Sequence, residues 1–118
     1  MSSESHHQQA LILWARMSRQ SSPELEHLIA IPNGAHTTPK NRMRLVREGL
    51  VAGVSDLFLP VPRGGYSGLW LEMKSKKGKL RGAQSDWLEA MRKYGHAVHV
   101  VYDWDDGRKI LQEYLRLK

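Results

Sequence analysis

The sequence predicts a mixed α/β fold, a sheet of about four strands flanked by helices in the order α-β-α-β-β-α-β-α. Three observations carry that prediction. Apolar residues recur at helical spacing in several segments. Short apolar runs bounded by Gly, Pro and Asn lie between them. Two of those runs are joined by "PRGGYS", whose glycines suit a hairpin connection.

"SHHQQALILWARMSRQ" reads as the first helix, with Ala10, Leu13, Trp14 and Met17 as its apolar stripe. "SSPEL" interrupts it, and "HLIAIPN" reads as a short strand ending at Pro32, Asn33 and Gly34. "TTPKNRMRLVREGL" reads as a second helix, with Thr38 as N-cap, Pro39 in the first turn and Gly49 at the exit. "VSDLFLPV" and "GLWLEMKSK" are the hairpin strands. "LRGAQSDWLEAMRKYG" follows as a third helix, with Ala83, Trp87, Met91 and Tyr94 as a stripe and Gly95 as the stop. "HAVHVVYDW" is the fourth strand, and "DDGRKILQEYLRLK" closes the chain as a helix with Ile110, Leu111, Tyr114 and Leu115 on one side. The hairpin pairs antiparallel, and the helical crossover allows a parallel addition, so the sheet is mixed.

A chain of 118 residues has the usual size of one domain, expected to span 1–118. No apolar run reaches membrane-spanning length, and "MSSESHHQQA" lacks a secretory pattern. The absence of cysteine excludes disulfides and thiolate metal sites and suits a reducing, cytoplasmic setting. Eighteen Lys and Arg against 12 Asp and Glu give a formal charge of +6, which suits a polyanionic partner such as DNA or RNA. No Walker-type phosphate loop is present, so no nucleotide cofactor is expected.

Charged residues interrupt the hairpin. Asp56 sits in "VSDLFLP", and Glu72 and Lys74 sit in "GLWLEMK". Alternation along a strand puts Glu72 and Lys74 on one face, with Leu71 and Met73 on the other. An antiparallel hairpin can bring Asp56 beside Glu72. Adjacent carboxylates repel and raise each other's proton affinity, a conflict that a divalent cation relieves. Mg²⁺ favours a few carboxylates together with waters and phosphate oxygens. A neighbouring lysine can orient a nucleophilic water or stabilise charge on phosphorus oxygens. The same spacing also describes a structural ion pair, in which Lys74 neutralises Glu72 or Asp56 at a sheet edge.

Around this trio, "PNG", "EGLVAGVSDLFLP", "GGYSGLWLEMK", Gln84 and "YGHAVHVVYDW" together resemble the virus-type replication-repair nuclease (VRR-NUC) domain of the PD-(D/E)XK nuclease superfamily, from about Glu4 to the last helix. The resemblance implies a restriction-endonuclease-like core and a nuclease dependent on Mg²⁺ or Mn²⁺. It implies Asp56, Glu72 and the backbone carbonyl of Met73 as metal ligands, Lys74 as the catalytic lysine and Gln84 as the motif glutamine. On the first helix it points to Gln8, with Glu4 second, facing the metal. Ser55 stands where the family usually has proline, a position that supplies no ligand. Small stand-alone, phage-like members resemble homodimeric resolvases of four-way (Holliday) junctions, which implies branched DNA as substrate, a second copy as partner and a bacterial or phage-infected cell as setting. A non-catalytic nucleic-acid-binding module on the same fold is the rival reading.

Basic residues offer phosphate contacts: Lys76, Lys77, Lys79 and Arg81 directly after the Glu72 strand, and Lys40 and Arg42 on the second helix. Trp14, Trp87 and Met91 are expected in the core, and Trp70 is expected to pack beneath the first helix. His6 and His7 read as a solvated end, and His36, His96 and His99 show no ligand spacing.

Overall fold

The structure, a computed structural model, describes residues 3–32, 37–76 and 78–118. The expectations for Asn33, Gly34, His36 and Lys77 lie outside the described residues. The elements run α1 (Glu4–Met17), a 3-10 helix (Pro23–His27), β1 (Ile29–Ala30), α2 (Pro39–Arg47), β2 (Leu57–Leu59), β3 (Leu69–Met73), α3 (Gly82–Lys93), β4 (Ala97–Val101) and α4 (Trp104–Arg116). The predicted order holds, with the 3-10 helix added where Pro23 breaks the chain. β1 keeps only 2 residues of the longer strand expected.

The sheet order is β1-β2-β3-β4. β1 and β3 flank β2 antiparallel, and β4 joins β3 in parallel through α3. In the β2–β3 connection Gly64 and Gly65 both take positive φ, at 58° and 85°, beside an Arg63–Tyr66 bridge. Two such residues in succession make the tight reversal that matches strand twist, which side chains with a Cβ resist.

Odd-numbered residues of β2, β3 and β4 face α1 and α4. Leu57, Leu59, Leu69, Leu71, Met73 and Val101 interlock there with Leu11, Ala15, Leu111 and Tyr114. Each fully buried leucine contributes about 1.5–3 kcal/mol relative to exposure. Gly107 lets α4 cross close to α1, since a Cβ there would lie 2.8 Å from the Leu11 side chain. Arg16 fastens the 3-10 helix to α1 by donating to the carbonyls of Leu25 at 2.9 Å and Leu28 at 2.8 Å.

Three packing expectations need correction. On α1 the core residues are Leu11 and Ala15, whereas Leu13 and Met17 are 61% and 76% exposed. Both stripes are helical in period, and α4 approaches the Leu11 side. On α3 the buried residue is Leu88, while Ala83 and Tyr94 are exposed. Trp70 packs on the α3 side of the sheet, stacked on Phe58 at 4.2 Å and edge-on to Trp87, and so lies on the face opposite α1. Even parity on β3 dictates that side.

α2 forms as the sequence predicts. The Thr38 hydroxyl accepts from Asn41 N, Pro39 fills the first turn, and Gly49 leaves the helix with φ of 112°. None of its residues is buried.

Candidate active site

The β2–β3 register runs Leu57 to Leu71, Phe58 to Trp70 and Leu59 to Leu69. One step beyond the first pair, Asp56 comes opposite Glu72. Asp56 closes the strand alignment at both ends: its carbonyl accepts from Ile31 N at 2.9 Å, and its carboxylate Oδ2 accepts from Met73 N at 2.8 Å. The side chain is thereby held at the open end of the hairpin, beside the last residues of β3.

Glu72 and Lys74 project from the even face of β3 and are only 3% and 8% exposed. Lys74 Nζ stands 4.0 Å from Glu72 Oε2, an attractive but loose pairing. Gln84 Nε2 donates to the same oxygen at 3.3 Å, while Gln84 Oε1 accepts from Arg81 N at 3.0 Å. Gln84 therefore both closes the first turn of α3 and ties that turn to Glu72. The other carboxylate oxygen, Glu72 Oε1, is buried with no hydrogen-bond partner.

Burial pushes the Glu72 carboxyl up from 4.5 to about 8; the adjacent Asp56 carboxylate pushes the same way, and Lys74 opposes them. Glu4 adds repulsion from α1. A carboxyl so disposed is poised for a positive partner that Lys74 only partly supplies. The donor set fits a hard divalent cation: two adjacent carboxylates, one with an oxygen lacking any partner, beside the strand end that carries the Met73 carbonyl. Among the described residues, no cluster of three or more His, Cys, Asp and Glu forms a metal group; the acidic element is the Asp56–Glu72 pair.

The structure thus brings Asp56, Glu72, Lys74 and Gln84 together. Of the two first-helix residues, Glu4 accepts from Ser75 N at 3.2 Å, next to Lys74, and Gln8 lines a cleft that also includes Asp56. Lys76, Lys79 and Arg81 are exposed on the segment from β3 to α3. Lys40 and Arg42 belong to α2.

Gly53 is a site residue that the sequence reading passed over. Its φ is +88°, and a Cβ there would fall 2.2 Å from the Ala83 carbonyl oxygen. The backbone leading to Asp56 therefore lies directly against the first turn of α3, which carries Gln84. An isolated glycine just ahead of an apolar strand is the signal of such close approach. Ser55, fully buried with its Oγ unpartnered, completes this packed lead-in.

Comparison with known proteins places the chain in a family. A search of curated proteins finds no match. Among solved structures, a VRR_NUC domain protein superposes with a TM-score of 0.84 at 25% identity, covering 99% of this chain and 91% of that one. The family model of the VRR-NUC domain matches residues 2–104, from α1 to the start of α4, and the chain belongs to that family.

Proposed function

We propose that the protein is a metal-dependent DNA endonuclease that hydrolyses phosphodiester bonds, built as one domain over residues 1–118. The observation that carries the reading is the convergence of Asp56, Glu72, Lys74 and Gln84 at the open end of the hairpin, with Glu72 Oε1 unpartnered. Family membership supports it.

Asp56, Glu72 and the Met73 carbonyl would hold Mg²⁺ or Mn²⁺. Bound there, the cation supplies Lewis-acid polarisation of a phosphoryl oxygen and lowers the pKa of an attacking water. The chain's residues do the rest. Met73 N–H holds the Asp56 carboxylate in orientation. Gln84 holds Glu72 Oε2 and anchors that oxygen to the helix N-terminus. Lys74, buried beside Glu72, keeps its ammonium near the reacting phosphate, where it orients water or stabilises developing negative charge. Lys76, Lys77, Lys79 and Arg81 contact the flanking phosphates, and Lys40 and Arg42 on α2 offer further phosphate contacts.

The substrate in this reading is branched DNA such as a four-way junction, cut by a homodimer in the cytoplasm of a bacterial or phage-infected cell. Two symmetric incisions call for two copies of a small site, and a two-fold dimer supplies them.

Glu72→Ala tests the reading directly. The variant keeps its circular-dichroism spectrum and loses Mg²⁺- or Mn²⁺-dependent cleavage by about 10³-fold or more. Unchanged cleavage removes Glu72 from the mechanism. DNA binding by the wild type without turnover on any junction, flap, duplex or single strand favours a non-catalytic binding module instead. Sedimentation with and without junction DNA checks the dimer.

A further inference from the structure

Among the described helices, α2 alone buries none of its residues. It carries Lys40, Arg42, Arg44 and Arg47 and no acid. Its sides differ. On one, Arg44 donates to both carboxylate oxygens of Glu48, at 2.8 and 2.9 Å, and to Asn41 Oδ1, so its charge is met locally. Asn41 and Leu45, the half-buried residues of α2, lie next to that side.

The opposite side is an apolar ridge. Pro39, Met43 and Val46 follow at i, i+4 and i+7 and share one surface with Arg42 and Arg47. Met43 is 62% exposed and Val46 52%. At about 100° per residue, Arg42 stands on one flank of the ridge and Arg47 on the other. Among the described residues no carboxylate lines this surface.

That pattern selects the occupant. Two copies of the ridge set face to face would oppose their arginines with no acid between them. The complementary partner is apolar along its centre and anionic along both edges. DNA has that cross-section where a base-pair face is uncovered, with rings in the middle and a phosphate strand on either side. A helix about 10–12 Å across matches the ~12 Å between the backbones that border a major groove. In continuous duplex the base faces cover one another, and parting a step is costly. At a branch point the last pair of an arm is already open.

We infer that α2 is a wedge for branched DNA: Met43 and Val46 pack on the uncovered base-pair face at the branch, and Arg42 and Arg47 hold the phosphates of the strands that part around it. The inference rests on the nuclease reading above for the identity of the polyanion, and adds the element that tells a branch from a duplex. Phosphate contacts are common to both, so the selectivity belongs to the apolar ridge.

The full chain is titrated in EDTA, so that no strand is cut, against a four-way junction and a duplex of equal length. A second junction carries 2-aminopurine in the pair beside the branch. Wild type binds the junction roughly 10- to 100-fold more tightly than the duplex. Met43→Ala, at an exposed helix position, keeps the thermal melt, weakens junction binding about tenfold and leaves duplex affinity unchanged. The change in 2-aminopurine emission seen with wild type is lost with it. Arg47→Ala weakens both complexes about equally and lowers the salt slope by about one. Equal wild-type affinity for junction and duplex overturns the inference, as does a Met43→Ala loss of the same size on both. A wild-type dimer that Met43→Ala converts to monomer in sedimentation without DNA also overturns it, because the ridge then seats a second copy. In each of these cases Mn²⁺-dependent cleavage by wild type leaves the nuclease reading standing. Absence of both binding and cleavage on every substrate overturns the two together.

Discussion

The two faces of β3 are made from consecutive residues and follow different physics. Leu69, Leu71 and Met73 point into the α1–α4 layer and are at most 1% exposed. Trp70, Glu72 and Lys74 point the other way and are also nearly inaccessible, at 8%, 3% and 8%. The odd face gains from burial without direction, so any well-fitting apolar side chain serves. On the even face, burial opposes the charges, and what holds them is directional: the Gln84 donor, the Lys74 ammonium and the adjoining Asp56. One face is optimised for stability, and the other gives up stability to bury a carboxyl whose proton affinity is raised.

The largest expected effect falls on the odd face. Leu71→Ala leaves a void at the centre of the sheet and lowers unfolding free energy by about 2–5 kcal/mol, read from urea denaturation. A loss below ~1 kcal/mol would mean that the layer is not close-packed. Next comes the junction that feeds the even face. Gly53→Ala meets both an unfavourable positive φ and the Ala83 carbonyl, so it costs about 2–3 kcal/mol and shifts the first turn of α3. Cleavage falls with it because Gln84 moves away from Glu72, and a variant with wild-type rate and stability would show that the close approach is dispensable.

The pH dependence separates the faces further. Glu72 titrates at about 8 in the folded protein against an ordinary value of 4.5. Between those values the folded state binds the extra proton. The stabilisation is therefore fully present below pH 4.5 and is lost as pH rises through about 8, at no more than about 1.4 kcal/mol per pH unit. Glu72→Gln flattens that slope, and Leu71→Ala lowers the whole curve without changing its shape. Because a cation replaces the proton, Mn²⁺ affinity measured by calorimetry rises with pH up to about 8. A flat profile would remove Glu72 from the ligand set. The smallest effect is at Ser55: removing a buried, unpartnered hydroxyl as Ser55→Ala is neutral or stabilises by about 1 kcal/mol in thermal melts.

Much of this contrast was legible before folding. Strand parity alone put Glu72 with Lys74 and set both against Leu71 and Met73, and "PRGGYS" marked the reversal that brings Asp56 opposite Glu72. Gln84 could be placed in the first turn of the following helix. The helix stripes were less legible. Leu11 with Ala15 and Leu13 with Met17 satisfy the same helical period on α1, and α4 selects between them by packing against the first pair. Trp70 was assigned to the wrong neighbour because parity names a face without saying which helix covers it. Gly53 went unnoticed because its constraint is the Ala83 carbonyl, thirty positions away in the chain.

The sequence by itself determined the element order, the parity of the charged residues and the family frame, because these depend on local periodicity, turn chemistry and short motifs. Tertiary structure decided which stripe of α1 enters the core and which helix covers Trp70. It also set how closely Gly53 meets α3, and it left Met43 and Val46 of α2 exposed. Those depend on distances between segments remote in the chain, which no periodicity encodes, and on the removal of water that turns an ordinary Glu72 into one titrating at about 8.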